Sequence, residues 1–389
     1  MSRTGPLQGL RVLEIQGIGP GPFTAMVLAD LGADVIRIDR PAPGGLSLDA
    51  SGHGQDVLAR SRRSVAVNLK AAAGVDVLLR LVGTADVLIE GFRPGTAERL
   101  GFGPQVCHKV NPGLIYGRMT GWGQDGPWAA MAGHDLNYIA LAGALQPMGD
   151  ADKPPPVPLN LIGDFGGGGM LLVVGILAAL HHRSQSGVGQ VIDAAMVDGS
   201  ALLMSMFHGM ASMGVWNTNT RAANLLDGGA PFYDTYRCAD GQFVAVGALE
   251  PQFYAALLDG LGLDPDAWPQ FDLSRWDNLR VTLTTVFAGA DRDHWETVFS
   301  GSDACVAPVL SMTQAPEHPH LRQRGTFVDV DGVVQPAPAP RFSATPTGPP
   351  TPAPSRGVHT LDVLAELGLD AREIAELQES GVIVIGAAD

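Results

Sequence analysis

The residues LRVLEIQGIGPGPFTAMVLADLGADVIRID (10–39) combine two strand patterns with a helix pattern between them. LRVLEI and ADVIRID are mostly apolar runs of strand length, and FTAMVLADLG has helix length and ends at Gly32. The alternation is repeated in SVAVNL (64–69), GVDVLLRLVGTA (74–85) and DVLIEGF (86–92). Strands that alternate with helices predict a parallel sheet with crossover helices. We therefore predict a doubly wound α/β domain that binds its ligand at the carboxyl ends of the strands.

The chain length of 389 residues predicts more than one domain, since a single core rarely grows so large. PFYDTYRCADGQFVAVGAL (231–249) predicts a hairpin that turns at Asp240-Gly241, and amphipathic helices follow to about Phe299. A Pro-rich connector (336–355) precedes a tail of two short helices that are split at Gly368. The predicted domains are a large one in 1–205 and a smaller α+β domain in 225–325.

Charge and composition limit the function classes. The formal charge of −15 argues against a nucleic-acid partner, which needs a basic surface. Three widely spaced cysteines indicate free thiols in a reducing compartment. The N-terminus has no signal-peptide pattern, and the apolar run 170–180 is shorter than the ~20 residues that span a bilayer. We expect a soluble cytoplasmic protein without a membrane partner.

Two common motif classes fit poorly. GIGPGP (17–22) lies between a strand and a helix, but Pro22 replaces the third glycine of a dinucleotide fingerprint. We prefer a tight strand-to-helix turn without a ligand, although Arg40 after the second strand favours a phosphorylated group nearby. The histidine pairs at 181–182 and 318–320 lack a third donor at ligand spacing, and no HExxH or GxSxG occurs. We expect no metal.

A third set of motifs contains residues suited to acid-base chemistry. GHDLNY (133–138) contains His134, LNLIGDFGGGG (159–169) contains Asp164, and VGALEPQF (246–253) contains Glu250. Each has a structural alternative. His134 could be a structural histidine, Asp164 a helix N-cap and Glu250 an exposed turn residue. The glycines 166–169 are predicted to open a helix through Arg183 that is apolar on nearly every face and therefore buried.

The chain resembles the family III CoA-transferase superfamily from Leu7 to the C-terminus. The segments that carry the resemblance are LQGLRVLEI, LGADVIRIDRP, DVLIEGFRPG, LIYGRMTGWGQDGP, GHDLNY, GILAALHHR, GQVIDAAMVDG and GVHTLDVLAELGL. Within it they are similar to the 2-methylacyl-CoA racemase branch of the bacterial type. The resemblance implies a large Rossmann-like domain and a small domain in an interlocked homodimer. It also implies that 330–389 returns to complete the large, CoA-binding domain. The active site would lie between the large domain of one subunit and the small domain of the other.

The resemblance also implies site residues. His134, Asp164 and Glu250 match the family's catalytic positions, and Asn160, four residues before Asp164, is expected to orient that carboxyl group. The matching CoA contacts are Arg40, Val67, Asn68, Leu69, Lys70, Gly91, Phe92, Arg93, Arg99, Gly133, Asp135, Leu136, Asn137 and Tyr138.

The implied activity is an isomerase that interconverts (2R)- and (2S)-2-methylacyl-CoA by 1,1-proton transfer through an enolate. His134 and Asp164 would serve opposite faces of C2, and Glu250 would hydrogen-bond the imidazole. A backbone N–H near Asp135 would hold the enolate oxygen. The glycines after Asp164 are expected to let the backbone approach the pantetheine arm. Coenzyme A is part of the substrate, so no separate cofactor is expected.

Two other functions stay open. A family III CoA-transferase would use Asp164 as a covalent nucleophile and would not need His134 and Glu250. A non-catalytic CoA-binding protein would need none of the three residues. The ionisation of Asp164 is open as well: a helix start would favour the carboxylate, and apolar burial would oppose it.

Overall fold

A computed structural model describes residues 4–42 and 56–387 of the chain. Two compact units divide it: unit 1 contains Met1–Ala142, Pro158–Leu203 and His320–Asp389, and unit 2 contains Gly143–Val157 and Met204–Pro319. These bounds differ from the predicted ones mainly at 143–157, which packs with unit 2. Arg221 holds that segment by donating from Nε to the carbonyl oxygen of Asp150 at 2.9 Å. Residues 1–3, 43–55 and 388–389 of the predicted large domain lie outside the described residues.

Unit 1 is built on a seven-stranded sheet in the order β12-β3-β2-β1-β4-β5-β6. Every neighbouring pair is parallel except β12 with β3, which is antiparallel. The predicted parallel sheet is confirmed, and this strand order is the doubly wound one. The strands are β1 (Arg11–Ile15), β2 (Asp34–Asp39), β3 (Arg63–Val67), β4 (Val87–Glu90), β5 (Ile115–Thr120), β6 (Val191–Ala195) and β12 (Ile383–Val384).

Helices cover both faces of this sheet, because successive strand residues point to opposite sides. In β1, Leu13 packs into one apolar core with Leu78 of α2, and Val12 packs into the other with Leu28 of α1. The helices of unit 1 are α1 (Pro20–Asp30), α2 (Ala72–Val82), α3 (Thr96–Leu100), α4 (Pro104–Val110), α5 (Asp135–Leu141), α6 (Leu171–Ser186), α7 (Met196–Leu203), α13 (Thr360–Glu366) and α14 (Ala371–Glu379). Unit 1 also contains a hairpin of β10 (Phe327–Val330) and β11 (Val333–Pro336). The helix α12 (Pro319–Arg324) begins where unit 2 ends and the last segment of unit 1 starts.

The helix around Asp164 begins earlier than predicted. A π-helical segment, Leu161–Met170, precedes α6 without a break, so Asp164 lies inside the first turn and is not an N-cap. The prediction that α6 is buried on nearly every face is wrong for a single chain. Ile176 and Leu172 are buried, but Val174 is 59% exposed, as only one side faces the sheet.

The glycines after Asp164 serve packing. A β-carbon on Gly167 would lie 2.6 Å from the backbone nitrogen of Ser200 in α7, and one on Gly169 would lie 2.6 Å from Cδ1 of Phe23 in α1. Protein atoms therefore fill the space beside these two glycines. These glycines let the π-helical segment approach α1 and α7, and the expected approach of the backbone to a pantetheine arm stays a prediction.

Residues Leu161–Ser186 have the length and mean hydropathy, 1.8, of a helix that crosses a membrane. The same properties are typical of a core helix in an α/β fold, and this helix packs on β5 and β6. It is weak evidence for a membrane span. The expected cytoplasmic location stays a prediction.

Unit 2 contains the predicted hairpin. Strands β7 (Tyr233–Arg237) and β8 (Phe243–Gly247) pair antiparallel around Asp240-Gly241, and β9 (Val306–Pro308) extends the sheet. Gly241 has φ +79°, which favours glycine in a tight turn. The helices that pack a separate aromatic core against this sheet are α9 (Pro251–Gly260), α10 (Trp276–Phe287) and α11 (Arg292–Val298). The helix α8 (Ser205–Ser212) also belongs to unit 2 but has no buried residue.

Candidate active site

Exposed cations follow three strands of the sheet in unit 1, β2, β3 and β4. Arg40 comes directly after β2, Lys70 three residues after β3, and Arg93 three residues after β4. These strands are parallel, so their carboxyl ends meet at one edge. Among the described residues, none of the three forms an ion pair. Their charge is therefore available to an anionic ligand.

The other predicted CoA contacts lie on the same connections. The segment 67–70 begins with the buried Val67 and ends with the exposed Lys70, whose backbone amide donates to Oδ1 of Asn68 at 3.1 Å. The amide of Phe92 donates to Oε2 of Glu90 at 2.7 Å. Further along, the exposed Arg99 donates to Oγ1 of Thr96 within α3 at 2.8 Å. Each segment thus holds its shape through local hydrogen bonds. Gly91 and Leu69 are the remaining members of these segments.

Glu90 supports the segment 91–93 from inside the sheet. Burial raises the pKa of Glu90 from 4.5 to about 7, although the hydrogen bond from Phe92 and the charge of Arg118 oppose the rise. The folded chain then binds more protons than the unfolded chain between pH 4.5 and 7. Its stability must therefore fall as pH rises through that window.

We expect the variant Glu90→Gln to remove this pH dependence while its amide oxygen still accepts from Phe92. Between pH 4.5 and 7 the wild type should lose about 3 kcal/mol of unfolding free energy relative to the variant. Urea unfolding at both pH values measures the difference. Glu98→Gln, on the exposed side of Arg118, is the control. Parallel pH profiles for the wild type and Glu90→Gln would contradict this assignment.

His134 lies in the loop between β5 and α5, with an exposed side chain. Its backbone amide donates to Oδ1 of Asn137 at 3.1 Å, which fixes the start of α5. Behind the loop, the ring of Tyr138 packs edge-on against Trp122 with 4.7 Å between centroids. A β-carbon on Gly133 would lie 2.7 Å from Cε1 of Tyr138, so a larger residue at 133 would displace that ring. The exposed Leu136 completes the predicted contact segment.

Asp164 is half-buried beside His134. Nδ2 of Asn160 donates to Oδ2 of Asp164 at 2.9 Å. Burial raises the pKa of Asp164 above its ordinary value, and the charge of Asp135 adds to the rise. The hydrogen bond from Asn160 and the charge of His134 oppose it. Burial therefore outweighs the groups that favour the carboxylate of Asp164.

Two contacts of this site have no signal in the sequence. A β-carbon on Gly19, whose φ is +69°, would lie 3.2 Å from Oδ2 of Asp164. The turn 17–22 therefore places a bare backbone next to the carboxyl group. Oδ2 of Asp135 accepts the backbone amides of Gly163 at 2.6 Å and Asp164 at 2.7 Å. Residue spacing indicates neither contact, since both join segments far apart in the chain.

Glu250 belongs to unit 2. It is the N-cap of α9, with an exposed side chain and Pro251 in the first helical turn. Its charge also helps to raise the pKa of the Cys305 thiol, after burial as the first cause. The expected pairing of Glu250 with His134 stays a prediction.

A parallel sheet with cations at its carboxyl edge and a carboxyl group beside an imidazole defines an α/β protein suited to an anionic nucleotide-type ligand. The chain belongs to CoA-transferase family III, whose sequence profile matches residues 7–360. It is 46% identical over 380 residues to alpha-methylacyl-CoA racemase of Mus musculus and 45% identical over 380 residues to that of Homo sapiens. Each alignment covers 97% of both chains. Among solved structures, a CAIB/BAIF family protein from Brucella suis is similar, with a TM-score of 0.79 and 26% identity, over 94% of this chain and 100% of that one.

Proposed function

We propose that this protein interconverts the two C2 epimers of 2-methylacyl-CoA thioesters. The observation that carries the proposal is the His134–Asp164 pair, in which burial raises the pKa of Asp164 and the charge of His134 acts on its carboxyl group. A carboxyl group with a raised pKa keeps its proton to higher pH than an ordinary aspartic acid, which suits a group that acts as an acid as well as a base. The likeness to two racemases over nearly the whole chain supports the same reaction.

The reaction needs two groups on opposite faces of C2. One group removes the C2 proton, the thioester carbonyl takes up the charge as an enolate, and the other group delivers a proton to the opposite face. His134 and Asp164 fill these roles, and they exchange roles when the reaction runs in reverse. The Asn160 hydrogen bond holds Oδ2 of Asp164 in one orientation and leaves the other carboxyl oxygen without that bond. That second oxygen would carry the proton to and from C2.

The enolate oxygen needs a hydrogen-bond donor that is in place before the charge develops. The backbone amide of Asp135 fits this role, because it begins α5 next to His134 and no acceptor among the described residues takes its hydrogen. The cationic edge formed by Arg40, Lys70 and Arg93 would bind the phosphates of CoA. All of the groups that this scheme requires are supplied by the chain and the substrate.

Incubation of one epimer of a 2-methylacyl-CoA in deuterated water tests the proposal. We expect deuterium at C2 together with loss of configuration, because the removed proton exchanges with solvent before one is returned. Labelled acetate and succinate are included as acceptors. Transfer of CoA to either acid without C2 exchange would contradict the racemase and indicate a transferase that uses Asp164 as nucleophile.

We infer that the protein acts as a homodimer. Unit 1 exposes large apolar side chains on consecutive helices, among them Val174 and Leu177 of α6 and Leu202 of α7. Extended apolar exposure of this kind marks an interaction surface, and a second copy would cover it. The mass in sedimentation equilibrium, compared with 40.6 kDa for one chain, tests the inference. A single-chain mass at micromolar concentration would contradict it.

A further inference from the structure

The side chain of Asp135 joins the loop of His134 to the helix of Asp164. Asp135 follows His134 directly in the chain and is only 4% exposed. Its Oδ2 accepts from the amides of Gly163 and Asp164, which lie 28 and 29 residues further along. This oxygen therefore joins the backbone of Asp164 to Asp135, the chain neighbour of His134.

The fit of this contact leaves little freedom. A β-carbon on Gly163 would lie 2.7 Å from Oδ2 and 3.0 Å from Cγ of Asp135, so only glycine allows the carboxylate to approach. The amides of the first helical turn have no acceptor within their own helix. Asp135 supplies that acceptor from another element, and it fixes where the turn that carries Asp164 begins.

A cap alone would not require a negative charge at this position. The second oxygen of Asp135, Oδ1, is buried and accepts no hydrogen bond from the described residues. Burial of an unpaired carboxylate oxygen is costly, and an asparagine would offer the same acceptor without the charge. The charge has an effect on Asp164, whose pKa is raised by burial first and then by Asp135.

We propose that Asp135 is a positioning residue that holds His134 and Asp164 at the separation needed to flank one carbon. Its side chain acts through the Asp164 backbone and touches no reacting atom. Its charge acts on the same group and favours the protonated form. The inference rests on the proposed racemase function and adds a second role to a residue whose amide is the candidate enolate donor.

Three variants separate the contact from the charge. Asp135→Ala removes both, Asp135→Asn keeps an oxygen that accepts the two amides, and Gly163→Ala displaces the carboxylate but keeps its charge. Asp370→Ala is the matched control, because the Asp370 side chain also accepts two amides, those of Arg372 and Glu373 at 2.9 Å, at the start of α14. Rates of epimerisation, KM and melting temperature are measured for each protein.

We expect Asp135→Ala and Gly163→Ala each to lower kcat by about a hundredfold with KM within about threefold, since a small misplacement of reacting groups has that effect. The double variant should lose no more than either single one, because both remove the same contact. Asp135→Asn should lose less of kcat than Asp135→Ala. The acid limb of its kcat/KM profile should move to lower pH, whichever epimer is the substrate. Asp370→Ala should lose stability only.

A purely structural role gives a different pattern. The proposal is overturned if Asp135→Ala changes only the melting temperature, as the control does, or if its loss adds to that of Gly163→Ala. If the alanine variant does not fold, an unshifted acid limb in Asp135→Asn overturns it. Failure of the proposed function is recognised separately, because the wild-type protein itself would then not invert C2.

Discussion

His134→Ala and Asp164→Ala are each expected to abolish epimerisation. Each variant should still exchange the C2 proton of one epimer with solvent, and the two variants should differ in which epimer that is. General acid-base groups contribute about 10²- to 10⁴-fold, so epimerisation should fall by at least that range in each variant. In His134→Ala, Asp164 can still remove and return the proton on its own face of C2. One epimer should therefore exchange with deuterated water and keep its configuration. In Asp164→Ala, the other epimer should do so.

The exchange rates of both pure epimers are measured by mass spectrometry and chiral separation of the recovered acids. His320→Ala, an exposed histidine of unit 1, is the control and should behave as the wild type. Equal and minor losses from both epimers in His134→Ala would remove that residue from proton transfer. Exchange of the same epimer in both variants would contradict the assignment of the two faces.

Arg93→Ala is expected to weaken binding of the CoA substrate by about ten- to a hundredfold, with kcat within about threefold. A hydrogen bond to a charged group contributes about 1.5–3 kcal/mol, and each 1.4 kcal/mol changes affinity about tenfold. Arg93 is exposed, follows β4 at the carboxyl edge, and its charge acts on Tyr138 next to the site. Its loss should therefore raise KM and reduce the dependence of KM on salt.

A truncated substrate makes this test specific. The N-acetylcysteamine thioester of the same acyl group lacks the phosphates, so wild type and Arg93→Ala should turn it over with equal kcat/KM. Arg80→Ala is the matched control, since Arg80 is a 55% exposed arginine of the same unit on α2. An equal loss for both thioesters would show that Arg93 does not bind the nucleotide end.

The first forty residues already predict the centre of the fold, because their strand and helix patterns are local and strong. β1, α1 and β2 lie where the pattern 10–39 places them, and the hairpin at Asp240-Gly241 follows from turn chemistry. The pairing of β12 against β3 has no such signal, since it joins residues more than 300 positions apart. Burial of α6 was not predictable either, because an apolar composition does not reveal which face lies on the sheet.

In the candidate site, too, local features could be predicted from the sequence, whereas contacts between distant segments could not. His134, Asp164 and Asn160 could be named from the resemblance to the family, and the Asn160–Asp164 hydrogen bond lies within one local segment. The carboxylate of Asp135 was predicted only as part of a CoA-binding segment, since its bonds to Gly163 and Asp164 depend on the packing of α5 against the π-helical segment. The ionisation of Asp164 was open because burial is a tertiary property.

The most direct test is a crystal structure with a bound, slowly reacting 2-methylacyl-CoA analogue. The account predicts a nitrogen of His134 and a carboxyl oxygen of Asp164 on opposite faces of C2, each about 3–3.5 Å from that carbon. A carboxyl oxygen of Asp164 directed at the thioester carbonyl carbon, with His134 away from C2, would contradict it.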